Sequence, residues 1–276
     1  MSLDVDQPVF GTFGRVVVVS PHLDDAALSC GALIADCADA TVVTLFAGTP
    51  PDAFLSTAWD RECGYGSAEQ AVRARREEDH VAMMSLGAAV VHMDCLDGQY
   101  LPASPSADEI ERDDADNAGA LAAVLKNLAP DLIIVPLGLF HSDHIRARRA
   151  WIRCASAPVL RAIPWIAYED VPYRSIGGAL QRALVALHHA DFIATPARWQ
   201  RPASSAAVGG TRDVPNGSTG RASLPLHGGA DRAAFQCKHT AIRAYDSQLG
   251  ALGAAALDDA NAPERFWAIS PSHAAS

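Results

Sequence analysis

At 276 residues with 49% hydrophobic content, the chain can bury one large core, which suits a single α/β domain spanning 1–276. A formal net charge of −10 argues against nucleic acid as a partner, because phosphate binding needs a basic patch. The N-terminus, Met1-Ser2-Leu3-Asp4-Val5-Asp6, has no basic region before its first apolar run, and no stretch approaches the ~20 apolar residues of a membrane span. A cytoplasmic protein is expected, with a small molecule as its partner.

In chain order, Arg15–Ser20 (RVVVVS) is a continuous apolar run, the pattern of a central parallel strand covered on both faces. A helix is predicted over 27–37, a strand over 41–46 and a helix over 69–86. A strand then follows at 89–92, a helix at 118–128, a strand at 132–136, a helix at 143–154, a strand at 165–168 and a helix at 183–190. Such alternation implies βαβ units. The expected fold is a Rossmann-like three-layer sandwich with a mostly parallel central sheet. The six cysteines form no C-x-x-C pair and read as buried free thiols.

Three connections are long: 47–66, 96–117 and 201–231. The first two leave strands, and loops leaving strands lie at the carboxyl edge of a parallel sheet, where such folds bind ligands. The third is rich in Gly, Ser and Pro and reads as a lid or a disordered insertion.

Chemistry-bearing residues cluster at two strand exits. Ser20-Pro21-His22-Leu23-Asp24-Asp25 directly follows the valine strand. An imidazole and a carboxylate suit a borderline cation such as zinc, and adjacent aspartates in a tight turn point in different directions. One can bind a metal while the other faces a water. The plainer reading is that Asp24 or Asp25 only caps the following helix. Phe140-His141-Ser142-Asp143-His144 lies at the exit of the 132–136 strand, and its two histidines share a face at a helix start. Alone, H-x-x-H reads better as a solvated pair before a basic helix. Two such clusters at the carboxyl ends of strands in one sheet can meet, although about 120 residues separate them. Together they hold the parts for metal-assisted amide hydrolysis. Asp24 would take a proton, His141 would stabilise the oxyanion or protonate the leaving amine, and Asp143 would orient that imidazole.

These motifs resemble those of the LmbE-like or PIG-L deacetylases. His22-Leu23-Asp24-Asp25 matches the family's His-Pro-Asp-Asp with leucine in place of proline, and His141-Ser142-Asp143-His144 matches its His-x-Asp-His. Arg75-x-x-Glu78, Leu96-Asp97-Gly98, Lys238 with Ser247-Gln248, and Glu264-Arg265-Phe266 resemble weaker family features, so the likeness spans roughly 15–268. The resemblance implies one zinc ion per chain held by His22, Asp25 and His144, with Asp24 as base and His141 and Asp143 as its catalytic partners. It further implies that Arg75, Asp97 and Gln248 contact an amino sugar. The Ser-Pro-His-Leu-Asp-Asp form is most similar to antibiotic-biosynthesis members, glycopeptide pseudoaglycone deacetylases included. The implied reaction removes an N-acetyl or N-acyl group from a glycoconjugate. A metal amidohydrolase acting on a non-sugar amide and a catalytically dead carbohydrate-binding module are the alternatives.

Overall fold

The computed structural model describes residues 9–11, 13–200 and 232–272; the expectation for 201–231 lies outside them. The described strands are β1 (Val9–Phe10), β2 (Arg15–Ser20), β3 (Asp39–Thr44), β4 (Ala89–His92), β5 (Leu132–Pro136), β6 (Trp165–Tyr168), β7 (Phe192–Trp199) and β8 (Phe266–Pro271). They form one sheet in the order β1-β7-β8-β6-β5-β2-β3-β4. Every neighbour pair is parallel except the two made by β8, which runs antiparallel to β6 and β7.

The valine run explains why β2 sits in the middle. Side chains alternate along a strand, and here both faces are apolar. Val17 and Val19 join Ile133, Leu121 and Trp151 in one core, while Val16 and Val18 join Ile134, Leu33 and Met83 in the other. Helices α1 (Asp25–Asp36), α3 (Ala68–Leu86) and α8 (Arg232–Ile242) therefore cover one face. Helices α4 (Ala107–Leu128), α5 (Ser142–Ser156) and α7 (Ala179–His189) cover the other. Short α2 (Ala58–Glu62) and α6 (Pro158–Arg161) and the longer α9 (Asp246–Ala260) complete the set. This is the expected three-layer α/β sandwich with a mostly parallel sheet. No helix among the described residues is long and apolar enough to cross a membrane.

Two segments depart from the sequence reading. Helix α4 begins at Ala107, inside the stretch predicted as a loop to 117. Ser106 and Glu109 close a capping box there, and most of the first turns face solvent, which is why the segment looked like polar loop. Within 47–66, Thr57 and Asp60 form a second capping box that starts α2.

From β2 the chain moves to β3 and β4 on one side, and from β5 to β6 on the other. β2 and β5 are neighbours, so the strand order reverses between them. A crevice opens at such a switch point outside the strands' carboxyl ends. The two His/Asp motifs leave those two strands.

Candidate metal centre

At the exit of β2 the backbone turns directly into α1, and the question is which group caps that helix. Asp24 occupies the N-cap position, but its side chain makes no cap hydrogen bond. Ser20 does this work: its Oγ accepts from the Ala26 N–H at 3.0 Å and donates to the His22 carbonyl at 2.7 Å. The carboxylate of Asp24 is thereby left to face the cleft. Asp25 turns back instead, and its Oδ2 accepts from the His22 N–H at 2.8 Å.

The motif from β5 arrives opposite. The ring centroids of His22, His141 and His144 lie 5.4 to 5.7 Å apart, and their nitrogens fall within 4.8 Å of one another. Asp25 Oδ2 lies 3.2 Å from His22 Nδ1 and 3.1 Å from His144 Nε2. His144 is wholly buried, and its Nε2 has no hydrogen-bond partner, Asp25 Oδ2 notwithstanding. A buried ring nitrogen held beside a carboxylate and a second imidazole, without a bond of its own, is what a metal ligand looks like. The donor set of two imidazoles and a carboxylate also suits a divalent transition metal. The described residues thus fit a cation at His22, Asp25 and His144. A second group, His22 with Asp97 and Asp143, also has ligand-type atoms close together. Arg75 and Arg146 already neutralise those two carboxylates, which makes it the poorer cation site.

The carboxylate of Asp143 is turned to His22 and not to His141. Its Oδ2 meets His22 Nε2 and the Gly98 N–H, each at 3.0 Å, and its Oδ1 takes Arg146 Nη1 at 2.6 Å. It touches His141 only through its backbone, whose N–H donates to His141 Nδ1 at 3.3 Å. The predicted orienting contact to the His141 imidazole is therefore replaced by one to the His22 imidazole. Helix geometry explains this: His141 is the N-cap of α5, so its ring is engaged by the backbone N–H of Asp143.

The charge pattern is uneven. Burial pushes the Asp24 carboxyl up and the Asp25 charge adds to it, to about 7, against the pull of Arg75, His22 and His144. Burial acts on Asp25 too, but His144 and His22 outweigh it and hold that carboxyl far below the usual range. Burial works against charge on His144, yet Asp25 and Asp170 raise it to about 9; His22 is likewise raised, by Asp143 and Asp25. His141 goes the other way, lowered by burial and by the two neighbouring imidazoles.

Around this group lies a cleft of about 410 Å³ lined by His22, Asp24, Asp25, Arg75, Asp97, His141, Asp143 and Gln248, with His144 buried beneath it. Arg75 is buried, with Nη1 3.7 Å from Asp97 Oδ2 and Nε without a partner. Gln248 reaches in from α9, its amide donating to Ser247 Oγ at 2.9 Å while its Oε1 has no partner. Trp59 comes from the 47–66 connection and Gln99 from the one after β4, so both long segments line the cleft. A larger groove of about 610 Å³ on the α4–α5–α7 flank holds no comparable cluster of ligand-type atoms among the described residues. His188 and His189 sit apart from the site, at the end of α7.

Two residues escaped the sequence reading. Tyr173 stacks on His141 at 5.6 Å and meets the His144 ring edge-on at 4.8 Å. Asp170 accepts from His144 Nδ1 at 2.5 Å. The signal for Asp170 was present: Glu169-Asp170 leaves the predicted 165–168 strand just as the two recognised motifs leave theirs.

Known proteins share the fold of this chain. No curated protein matches the sequence. Among solved structures, the zinc-inhibited form of teicoplanin deacetylase Orf2 superposes with a TM-score of 0.68 at 22% identity, covering 95% of this chain and all of that one. A deacetylase–teicoplanin complex gives 0.68 at 23% identity, over 94% and 99% of the two chains. The A40926 pseudoaglycone deacetylase Dbv21 gives 0.65 at 23%, over 95% and 99%. At such identities the likeness establishes a common fold. A family model described as PIG-L, GlcNAc-PI de-N-acetylase, matches residues 17–155, half of the sequence and both His/Asp motifs. The chain is a member of the PIG-L family.

Proposed function

We propose that this protein is a zinc-dependent N-deacetylase that removes the acetyl group from an amino-sugar moiety of a glycoconjugate. The observation that carries the reading is the convergence of His22, Asp25 and His144 beside Asp24, a second carboxylate with no capping duty. Those first three residues would hold one zinc ion. When bound, the ion supplies a Lewis acid that polarises the amide carbonyl and makes a water nucleophilic at neutral pH.

The chain's own groups supply the rest. Asp24 accepts the proton of the attacking water, a task for which a carboxyl raised toward neutrality is suited. His141, on the cleft wall with its Nδ1 engaged by the Asp143 N–H, faces the developing oxyanion or the departing amine. Water adds its oxygen to the acyl carbon, the C–N bond breaks, and the proton taken up by Asp24 ends on the amine. Arg75, Asp97 and Gln248 offer unpartnered or charged atoms to sugar hydroxyls. Family membership supports de-N-acetylation, and the structurally similar deacetylases of teicoplanin and the A40926 pseudoaglycone support a large glycosylated substrate.

The test is mass spectrometry of the zinc-loaded protein with N-acetylglucosaminyl conjugates and with N-acetyl amino acids. Loss of the acetyl mass from the conjugates is expected. Turnover confined to the amino acids would replace the sugar by another amide, and turnover of neither would remove the enzyme assignment.

A further inference from the structure

Beneath the cleft, one carboxylate does more than the metal chemistry requires of it. Asp170 follows β6, is wholly buried, and takes three N–H donors on its two oxygens. His144 Nδ1–H donates to Oδ1 at 2.5 Å, and the N–H groups of Gly138 and Leu139 donate to Oδ2 at 2.9 and 3.2 Å. An ionised carboxylate is acceptor-only, so the ring nitrogen it meets must carry the proton. The other nitrogen, Nε2, is buried 3.1 Å from Asp25 Oδ2 without a hydrogen bond of its own.

The two backbone donors belong to an unusual turn. Gly138 and Phe140 both have left-handed backbones, with φ of 76° and 56°. A side chain at Gly138 would meet Arg148 Cβ at 2.6 Å and the His144 carbonyl at 2.7 Å, so only glycine fits. For a bulky residue such as Phe140 that conformation is an outlier that persists only when its surroundings over-determine it. The His141 N–H closes the turn on the Leu139 carbonyl at 2.6 Å, and His141 then caps α5, the helix that carries His144.

We infer that Asp170 is the positioning residue of this site, fixing His144 as the Nδ1–H tautomer so that Nε2 is aimed at the cation, and at the same time pinning the strained turn that presents His141. The inference rests on the reading of His144 as a metal ligand. Asn at this position keeps the shape but brings one acceptor oxygen where three N–H groups converge, so its amide NH₂ faces a donor. Partners that orient a ligating histidine are typically worth 10–100-fold in metal affinity.

The experiment compares wild type, Asp170→Asn and His144→Ala as metal-free proteins, titrated with zinc against a chromophoric chelator. Asp170→Asn is expected to bind zinc 10–100-fold more weakly while its far-ultraviolet circular dichroism stays that of wild type. Wild-type affinity in a folded Asp170→Asn protein overturns the inference. Histidine ¹⁵N spectra of zinc-loaded wild type give an independent readout, needed where the variant does not fold. The His144 Nδ1 must show a bonded proton; an unprotonated Nδ1 overturns the inference as well. Wild type that binds no zinc, or His144→Ala that binds it as tightly, overturns instead the metal assignment beneath it.

Discussion

Asp24 and Asp25 are covalent neighbours with the same side chain, yet their surroundings drive their proton affinities apart. Asp25 faces two imidazoles and stays ionised well into acid. Asp24 is buried beside the Asp25 charge and hydrogen-bonds neither imidazole, and it is pushed up to about 7 against the more distant pull of Arg75, His22 and His144. Two titratable groups separated in this way suit two roles, one as ligand and one as base. Asp24→Asn removes the proton acceptor while preserving shape. It should retain zinc and lower kcat by about 10²–10⁴-fold, measured with an N-acetylglucosaminyl conjugate alongside metal analysis. A near-normal rate would mean that another group takes the proton. In wild type, kcat/KM should fall with pH as Asp24 protonates. A bound cation pulls its pKa in the same direction as Arg75, so that limb should lie below 7.

At the scale of elements, legibility tracked the physics of each segment. A strand buried on both faces must be apolar throughout, so β2 and β5 were plain in RVVVVS and LIIVP, and the residues at their exits were found with them. Helix α4 was half missed because its first turns face solvent and carry no apolar stripe. β7 and β8 were missed because their side chains alternate only loosely between buried and exposed, and because β8 returns antiparallel from the far end of the chain. Side-chain direction was beyond reach of the sequence: spacing put Asp143 beside His141, and only the three-dimensional course of α5 turns its carboxylate to His22. A buried bond helps tie together the two connections that line the cleft: Tyr100 Oη donates to Asp60 Oδ1 at 2.9 Å. Asp60 is wholly buried, and it also caps α2 by accepting from the Thr57 N–H at 3.0 Å. Tyr100→Phe leaves that carboxylate oxygen short of a donor, which costs about 1–3 kcal/mol. A lowered Tm is expected, together with a raised KM, since Trp59 on α2 and Gln99 beside Tyr100 both line the cleft. Unchanged Tm and KM would show that the two connections are held apart from this bond.

For the whole molecule, the site couples protons, metal and stability. In the metal-free protein, His144 is raised from 6.5 to about 9 by carboxylates that outweigh its burial. A group whose folded pKa is raised contributes stability that is fully present below the unfolded value and is lost as pH rises through the folded one. Asp24, raised from 3.8 to about 7, acts in the same direction at lower pH. The metal-free Tm should therefore fall between pH 6 and pH 9. Zinc reverses the trend, because a ligating imidazole must give up its proton at the metal-binding nitrogen. Apparent affinity then strengthens by about tenfold per pH unit for each proton displaced, until the imidazole pKa is passed. Metal that binds only the folded state raises its stability by about 4 kcal/mol at a thousand times Kd. Melting curves with chelator and with a fixed free zinc concentration, taken across this range, should diverge as pH rises. Parallel curves would mean that no proton leaves His22 or His144 on binding, and hence that neither imidazole is a ligand.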